Sequence, residues 1–227
     1  MTVQKLIDLY DAGKYTIVYD YCRKQLEWNP EDLNALFYAA LVQAHFKMYD
    51  VALRTYQRIL KTSPSEQYVY NNMGTIYLRQ KRYARGVYCL KRELGLYPQS
   101  REANLNLGEF YFDKGQYAKA IPYLKKCVKV MRDENDIYTV QLLAEIYFKQ
   151  KDLRRELAMH RLLLRRHPKN PMMLNNVAAC YIDLGENKKG IKLLQKAISL
   201  AGNRRGFGCI RRNIKTVQSE LQKSAKQ

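Results

Sequence analysis

Apolar residues recur along this chain at helical spacing in blocks of 34. One block runs through Leu105, Leu107, Tyr111 and Phe112, then through Tyr117, Ile121, Leu124 and Val128. The first run pairs Leu107 with Tyr111 four on and Leu105 with Phe112 seven on, and the second steps by four, three and four. Both are helical spacings, so each block predicts helix, turn, helix. The prolines mark the period. Pro30, Pro64 and Pro98 are 34 apart, and after two extra residues near Glu134 to Asp136 the register resumes at Pro168. Aligned on them, Tyr15, Tyr49, Tyr83 and Tyr117 form one column, and Tyr77, Tyr111, Tyr147 and Tyr181 a second. A third holds only small residues: Ala40, Gly74, Gly108, Ala144 and Ala178. Small side chains at a fixed place in every block are what a close helix–helix approach requires.

Local signals agree. Gly13, Gly115 and Gly185 fall between the two halves of their blocks, where a tight or left-handed turn is easiest for glycine. Asn170 followed by Pro171 reads as a helix cap with proline at the first helical position. Pro122 is expected near the start of its helix, where the missing donor costs little. In register the first block would begin before Met1, so its first helix is expected to be a turn short, as at the start of an excised fragment. Ile210, Ile214, Val217 and Leu221 predict an amphipathic helix after the last block, covering its exposed apolar end, with a polar tail from Gln222 to Gln227.

This pattern resembles the tetratricopeptide repeat. Leu107-Gly108-x2-Tyr111 continues through Ala120 and Leu124 to Cys127, and Val177-Ala178-x2-Tyr181 leads to Gly190, Leu194 and Ala197 in the same order. The family's leading Trp is replaced by Leu36, Tyr70, Asn104, Val140 and Leu174. The resemblance implies an all-α, right-handed α-solenoid of about six helix-turn-helix repeats (1–32, 33–66, 67–100, 101–136, 137–170 and 171–204), with a capping helix and basic tail over 205–227.

It also implies a function, a non-enzymatic scaffold or adaptor that holds a protein segment against the concave face built by the first helix of each repeat. The places facing that groove include Leu41, His45, Asn71, Thr75, Arg79, Tyr138 and Asn175, with Phe112 beside them. Asn72, Asn106 and Asn176 recur one place beyond the Asn71 column. An asparagine there can offer donor and acceptor to a ligand backbone, or it can tie neighbouring helices together. The candidate groove set is therefore Asn71, Asn72, Arg79, Asn106, Phe112, Tyr138, Asn175 and Asn176. A two-carboxylate clamp of the chaperone-tail type is not supported, because Asn72 alone fits its pattern.

Charge adds a second possibility. The formal net charge is +19, with 40 Lys and Arg against 21 Asp and Glu among 227 residues. Residues 1–66 are neutral overall, whereas 67–132 carry +9, 133–200 carry +4 and 201–227 carry +6. Much of the excess lies on second helices, for example Lys125 and Lys126, or Arg154, Arg155, Arg161, Arg165 and Arg166. In the family those helices form the convex outside. A solvated basic face is the plain reading; an acidic protein partner, nucleic acid or an anionic membrane would be a functional one.

Other chemistry has less support. The three histidines and five cysteines show no spacing that sets a nucleophile beside a base, no C-x-x-C and no disulfide framework, so no enzyme, cofactor or metal is expected. His160 stands in a column otherwise filled by Tyr56, Leu90, Leu124 and Leu194, and packing is its expected role. Cys22, Cys89, Cys127 and Cys180 fall at apolar positions, while Cys209 has Arg205, Arg211 and Arg212 as neighbours. Arg205-Gly206-Phe207-Gly208 resembles the start of an RNA-recognition strand motif, but too little chain follows to complete its sheet. No run is long and apolar enough to span a membrane, and the start lacks a signal-peptide order. A cytoplasmic location is the expectation.

Overall fold

The computed structural model describes residues 2–129, 136–202, 208 and 212. Among them are twelve α-helices and no strand. They are α1 (Val3–Asp11), α2 (Tyr15–Trp28), α3 (Leu33–His45), α4 (Tyr49–Thr62), α5 (Val69–Arg79) and α6 (Tyr83–Leu96). Then follow α7 (Arg101–Asp113), α8 (Tyr117–Lys129), α9 (Asp136–Lys149), α10 (Leu153–Arg166), α11 (Pro171–Asp183) and α12 (Asn187–Ala201). The chain divides into two compact units, Met1–Leu107 and Gly108–Gln227. The expected capping helix and basic tail over 205–227, with Cys209, lie outside the described residues except for isolated positions.

The turns within helix pairs share one backbone shape. Gly13, Gly115 and Gly185 have φ of +71°, +67° and +79°. Lys47, Lys81 and Lys151, at the same place in the other pairs, adopt +61°, +61° and +57°. The turn geometry therefore persists where glycine does not, against the intrinsic cost of a left-handed lysine. Several helix starts are capped by side chains. Asp32 accepts from the Ala35 N–H at 3.0 Å, Asp152 from Arg155 at 3.1 Å, and Asn170 from Met172 and Met173 at 2.9 and 3.3 Å. Helix α1 has nine residues against thirteen in α3, in line with a shortened first helix.

The core of the first unit has two apolar clusters, one including Leu36, Tyr56, Ile59, Val69 and Met73 and a second, toward α1, including Leu6, Val18 and Cys22, with Leu26 packed against both. In the second unit Leu174, Ala178, Leu194 and Ala197 pack between α11 and α12. The tyrosines of the second column are largely buried, and basic groups lie over their rings: Arg82 over Tyr77, Lys119 over Tyr111, Arg155 over Tyr147 and Lys189 over Tyr181, at 4.9 to 5.8 Å.

The small-residue column sits at the closest approach of paired helices. A Cβ built on Gly108 would lie 2.5 Å from Leu124 Cδ2 and 2.7 Å from its Cγ. Gly108→Leu is thus expected to destabilise by about 1–3 kcal/mol. The exposed Lys126→Gln should change stability by no more than about 0.5 kcal/mol, and paired thermal melts would separate the two. One expectation needs correction. Pro122 is the sixth residue of α8, past the first turn, and the helix runs on through it.

Candidate functional site

The first-helix face of the Met1–Leu107 unit contains a cavity of about 240 Å³ lined by Tyr10, Leu41, Ala44, His45, Tyr56, Asn72, Thr75, Ile76 and Arg79. Helical spacing explains the set. Asn72, Thr75, Ile76 and Arg79 lie three or four apart on one stripe of α5, as do Leu41, Ala44 and His45 on α3. Tyr10 comes from α1 and Tyr56 from α4. The His45 ring lies 3.8 Å from that of Tyr15 and is exposed at the rim.

The cavity is polar in specific places. Arg79 is exposed and supplies a cation, and Asn72 supplies an amide. Tyr56 is fully buried, and its hydroxyl lacks a well-formed hydrogen bond, with the Asn72 amide as the polar group that acts on it. Burial holds the Tyr56 and Tyr10 hydroxyls above the ordinary tyrosine range. Both therefore remain neutral donors near neutral pH.

Of the eight residues singled out from sequence, Asn72 and Arg79 line this cavity. Asn71 and Asn106 lie behind it in a helix-bridging network. Asn106 Nδ2 donates to Asn71 Oδ1 at 2.8 Å and to Thr75 Oγ1 at 3.2 Å, tying α7 to α5, and Asn71 Nδ2 donates to Asn72 Oδ1 at 3.4 Å. Asn71 is buried. The other four belong to the second unit. Phe112 packs its ring 5.9 Å from Tyr117. Tyr138 is half exposed and hydrogen-bonded to Glu109, and burial with surrounding carboxylates pushes its hydroxyl up to about 12. Asn175 is buried and donates to Asn176 at 3.5 Å. Sequence reasoning missed Tyr10 and Tyr56; a tyrosine in a column of leucines was the available signal for the latter.

Helix α5 is held by an unexpected group. Its N-terminus has no side-chain cap, and Tyr68 there is left-handed at φ +67°. Glu93 of α6, fully buried, instead accepts from the Tyr68 N–H at 3.0 Å and the Asn71 N–H at 3.3 Å. Burial raises its carboxyl above the usual range, opposed by these two hydrogen bonds.

Two further features belong to the second unit. A cavity of about 540 Å³ has an apolar floor of Leu164, Val177 and Leu193, with Arg161, Lys189, Lys192 and Lys196 around it. The basic residues of α8 and α10 named from sequence, Lys125, Lys126, Arg154, Arg155, Arg161, Arg165 and Arg166, are exposed. Glu156, His160 and Cys180 also converge, although their sequence spacing shows no such grouping, because α10 and α11 belong to successive helix pairs. Burial keeps cysteines protonated, raising Cys22 and Cys180 to about 12 and Cys89 to about 11, which is the opposite of what a nucleophilic thiol needs.

Paired helices meeting on a small-residue column, with polar groups gathered on first-helix faces, define an all-α helical-repeat protein. Residues 34–65 and 71–129 match the family described as tetratricopeptide repeat, and residues 113–197 match the one described as anaphase-promoting complex, cyclosome, subunit 3. The chain is a tetratricopeptide repeat protein. Among solved structures it resembles YrrB, described as a TPR protein with an unusual peptide-binding site, at 19% identity and TM-score 0.62, over 86% of this chain and 97% of that one. It also resembles pilF of Pseudomonas aeruginosa, at 19% identity and TM-score 0.67, over 96% and 95%. The APC/C hetero-tetramer Cut9-Hcn1 matches at 15% identity and TM-score 0.58, over 95% of this chain and 42% of that one. At such identities the likeness is one of fold. No curated protein sequence matches the chain. Among the described residues no helix is long and apolar enough to cross a membrane.

Proposed function

We propose that the chain is a protein-interaction adaptor, cytoplasmic and without catalysis of its own, that holds an extended protein segment on the first-helix face of the Met1–Leu107 unit. The observation that carries this is the polar cavity containing Asn72 and Arg79. Asn72 can give a donor and an acceptor to a ligand backbone, and Arg79 favours a carboxylate on the ligand. Tyr10 and Tyr56 add neutral donors over apolar walls. In this reading Asn71 and Asn106 set the position of Asn72 through their mutual hydrogen bonds, while Phe112, Tyr138, Asn175 and Asn176 serve a face of the second unit. YrrB's description as peptide-binding supports the class of ligand and says nothing of its sequence.

The test starts from a partner recovered by affinity purification and identified by mass spectrometry. Asn72→Ala with Arg79→Ala should weaken its binding by about 100-fold, since each unmade buried bond costs about 1–3 kcal/mol. Helical circular dichroism should not change. Lys125→Glu with Lys126→Glu should alter mainly association rate and salt dependence. If the second pair abolishes binding and the first leaves it intact, the groove reading fails. Nucleic-acid contact by the basic surface would then take its place, marked by affinity that falls steeply with salt.

A further inference from the structure

Three repeat columns are broken at one point of the second unit. Glu156 stands where Ala52, Gly86, Ala120 and Gly190 stand in other repeats, and Val18 in the first. His160 replaces Tyr56, Leu90, Leu124 and Leu194, with Cys22 in the first repeat. Cys180 replaces Val42, Ile76, Phe110 and Ile146. Packing alone would be served by the usual residues, and a glutamate at a small-residue position is the least expected of the three. All three departures are toward metal-ligating side chains, and they meet. One ligand atom from each lies within 4.8 Å of the other two.

We propose that Glu156, His160 and Cys180 form a binding site for a divalent transition metal, Zn²⁺ foremost. Glu156 is buried, with 8% of its surface exposed, and its Oε2 lacks a well-formed hydrogen bond, the Cys180 thiol being the donor that acts on the carboxylate. Its other oxygen is 3.7 Å from His160 Nε2, too far for a good hydrogen bond. A buried carboxylate with only a weak thiol donor is costly, and a bound cation that takes the place of the thiol proton would satisfy it. One nitrogen, one sulfur and one carboxylate oxygen suit zinc, which takes such ligands at about 2.0–2.3 Å in tetrahedral geometry. The ligand atoms need to close by only about 1 Å to reach that arrangement. The thiol proton leaves to solvent as the metal binds. A fourth position has room, because a cavity of about 200 Å³ lined by Glu156, His160, Gln141 and Glu145 opens beside the site. Water can complete the shell there. Such a metal would join α10 to α11, which belong to successive helix pairs.

The full chain, stripped of metal and kept reduced, is titrated with Co²⁺ and followed by absorbance. The expected result is saturation at one equivalent, with a near-ultraviolet thiolate-to-cobalt band that Zn²⁺ abolishes by displacement. Cys180→Val, His160→Leu and Glu156→Ala each install a residue that another repeat carries in the same column, so the fold should tolerate them. Cys180→Val should lose the band, and the other two should weaken binding by at least about tenfold. Zn²⁺ should raise the thermal midpoint of the natural chain and leave that of Cys180→Val unmoved. Absence of one-equivalent binding, a band that survives in Cys180→Val, or an unchanged midpoint in the natural chain would overturn the proposal.

Discussion

Glu93→Ala is expected to lower the unfolding free energy by about 3–5 kcal/mol in urea titrations. The carboxylate is fully buried and takes the N–H groups of Tyr68 and Asn71, which have no other cap. Truncation would leave both donors unpaired and open a cavity. Glu93→Gln keeps the volume and one acceptor but turns an amide N–H₂ toward the second donor, so it should cost roughly 1–3 kcal/mol. The pH dependence follows from the raised carboxyl. A group whose folded pKa exceeds its unfolded value stabilises most below the unfolded value, and loses that contribution as pH rises through the folded one. The stability gap between the natural chain and Glu93→Gln should therefore widen from neutral pH toward pH 4.5 and then level off. A gap that narrows on acidification would mean that the two hydrogen bonds outweigh desolvation. Because α5 carries Asn72 and Arg79, both variants should also weaken the proposed groove in proportion to the helix end they loosen.

Glu93 also shows why part of this protein was hidden in its sequence. Period, helix pairing, turns and the small-residue column were legible because each rests on a pattern that recurs, so one imperfect copy is corrected by the others. The left-handed turns at Lys47, Lys81 and Lys151 illustrate this, since glycine in the neighbouring repeats marks the place. The features that distinguish one repeat from the next are single departures. Glu93 occupies the column of Ile59, Cys127, Leu163 and Ala197, and reads as a surface glutamate until α5 is found ending against it. Glu156 and Cys180 lie on different helices, so no spacing rule joins them. At the groove, Arg79 could be placed by helix face alone. The same face reading put Asn71 in the groove and Asn72 one place beyond it, whereas it is Asn72 that lines the cavity while Asn71 is buried. The bonds of Asn106 to Asn71 and Thr75 could not be placed by face either, because an exposed amide and a bridging amide have the same sequence signal.

Pro122→Ala is expected to stabilise the chain by about 1–3 kcal/mol, seen as a rise in thermal midpoint. Proline is tolerated at the first helical position because that N–H has no partner within the helix. Pro171, at the start of α11 after the Asn170 cap, is such a case, and Pro171→Ala should gain nothing. Pro122 stands one turn deeper. An N–H at residue 122 would donate to the Ala118 carbonyl, and the proline ring both lacks that donor and crowds that carbonyl. The side chain is exposed, so alanine gives up little packing in exchange. The flanking positions hold the helix despite the defect, with Ala120 and Leu124 fully buried on the opposite stripe and Leu124 seated against Gly108. Those contacts carry α8 through the missing bond, and alanine would add the bond without disturbing them. If Pro122→Ala melts at or below the natural chain, then α8 bends at this point and the bend is required by its packing on α7.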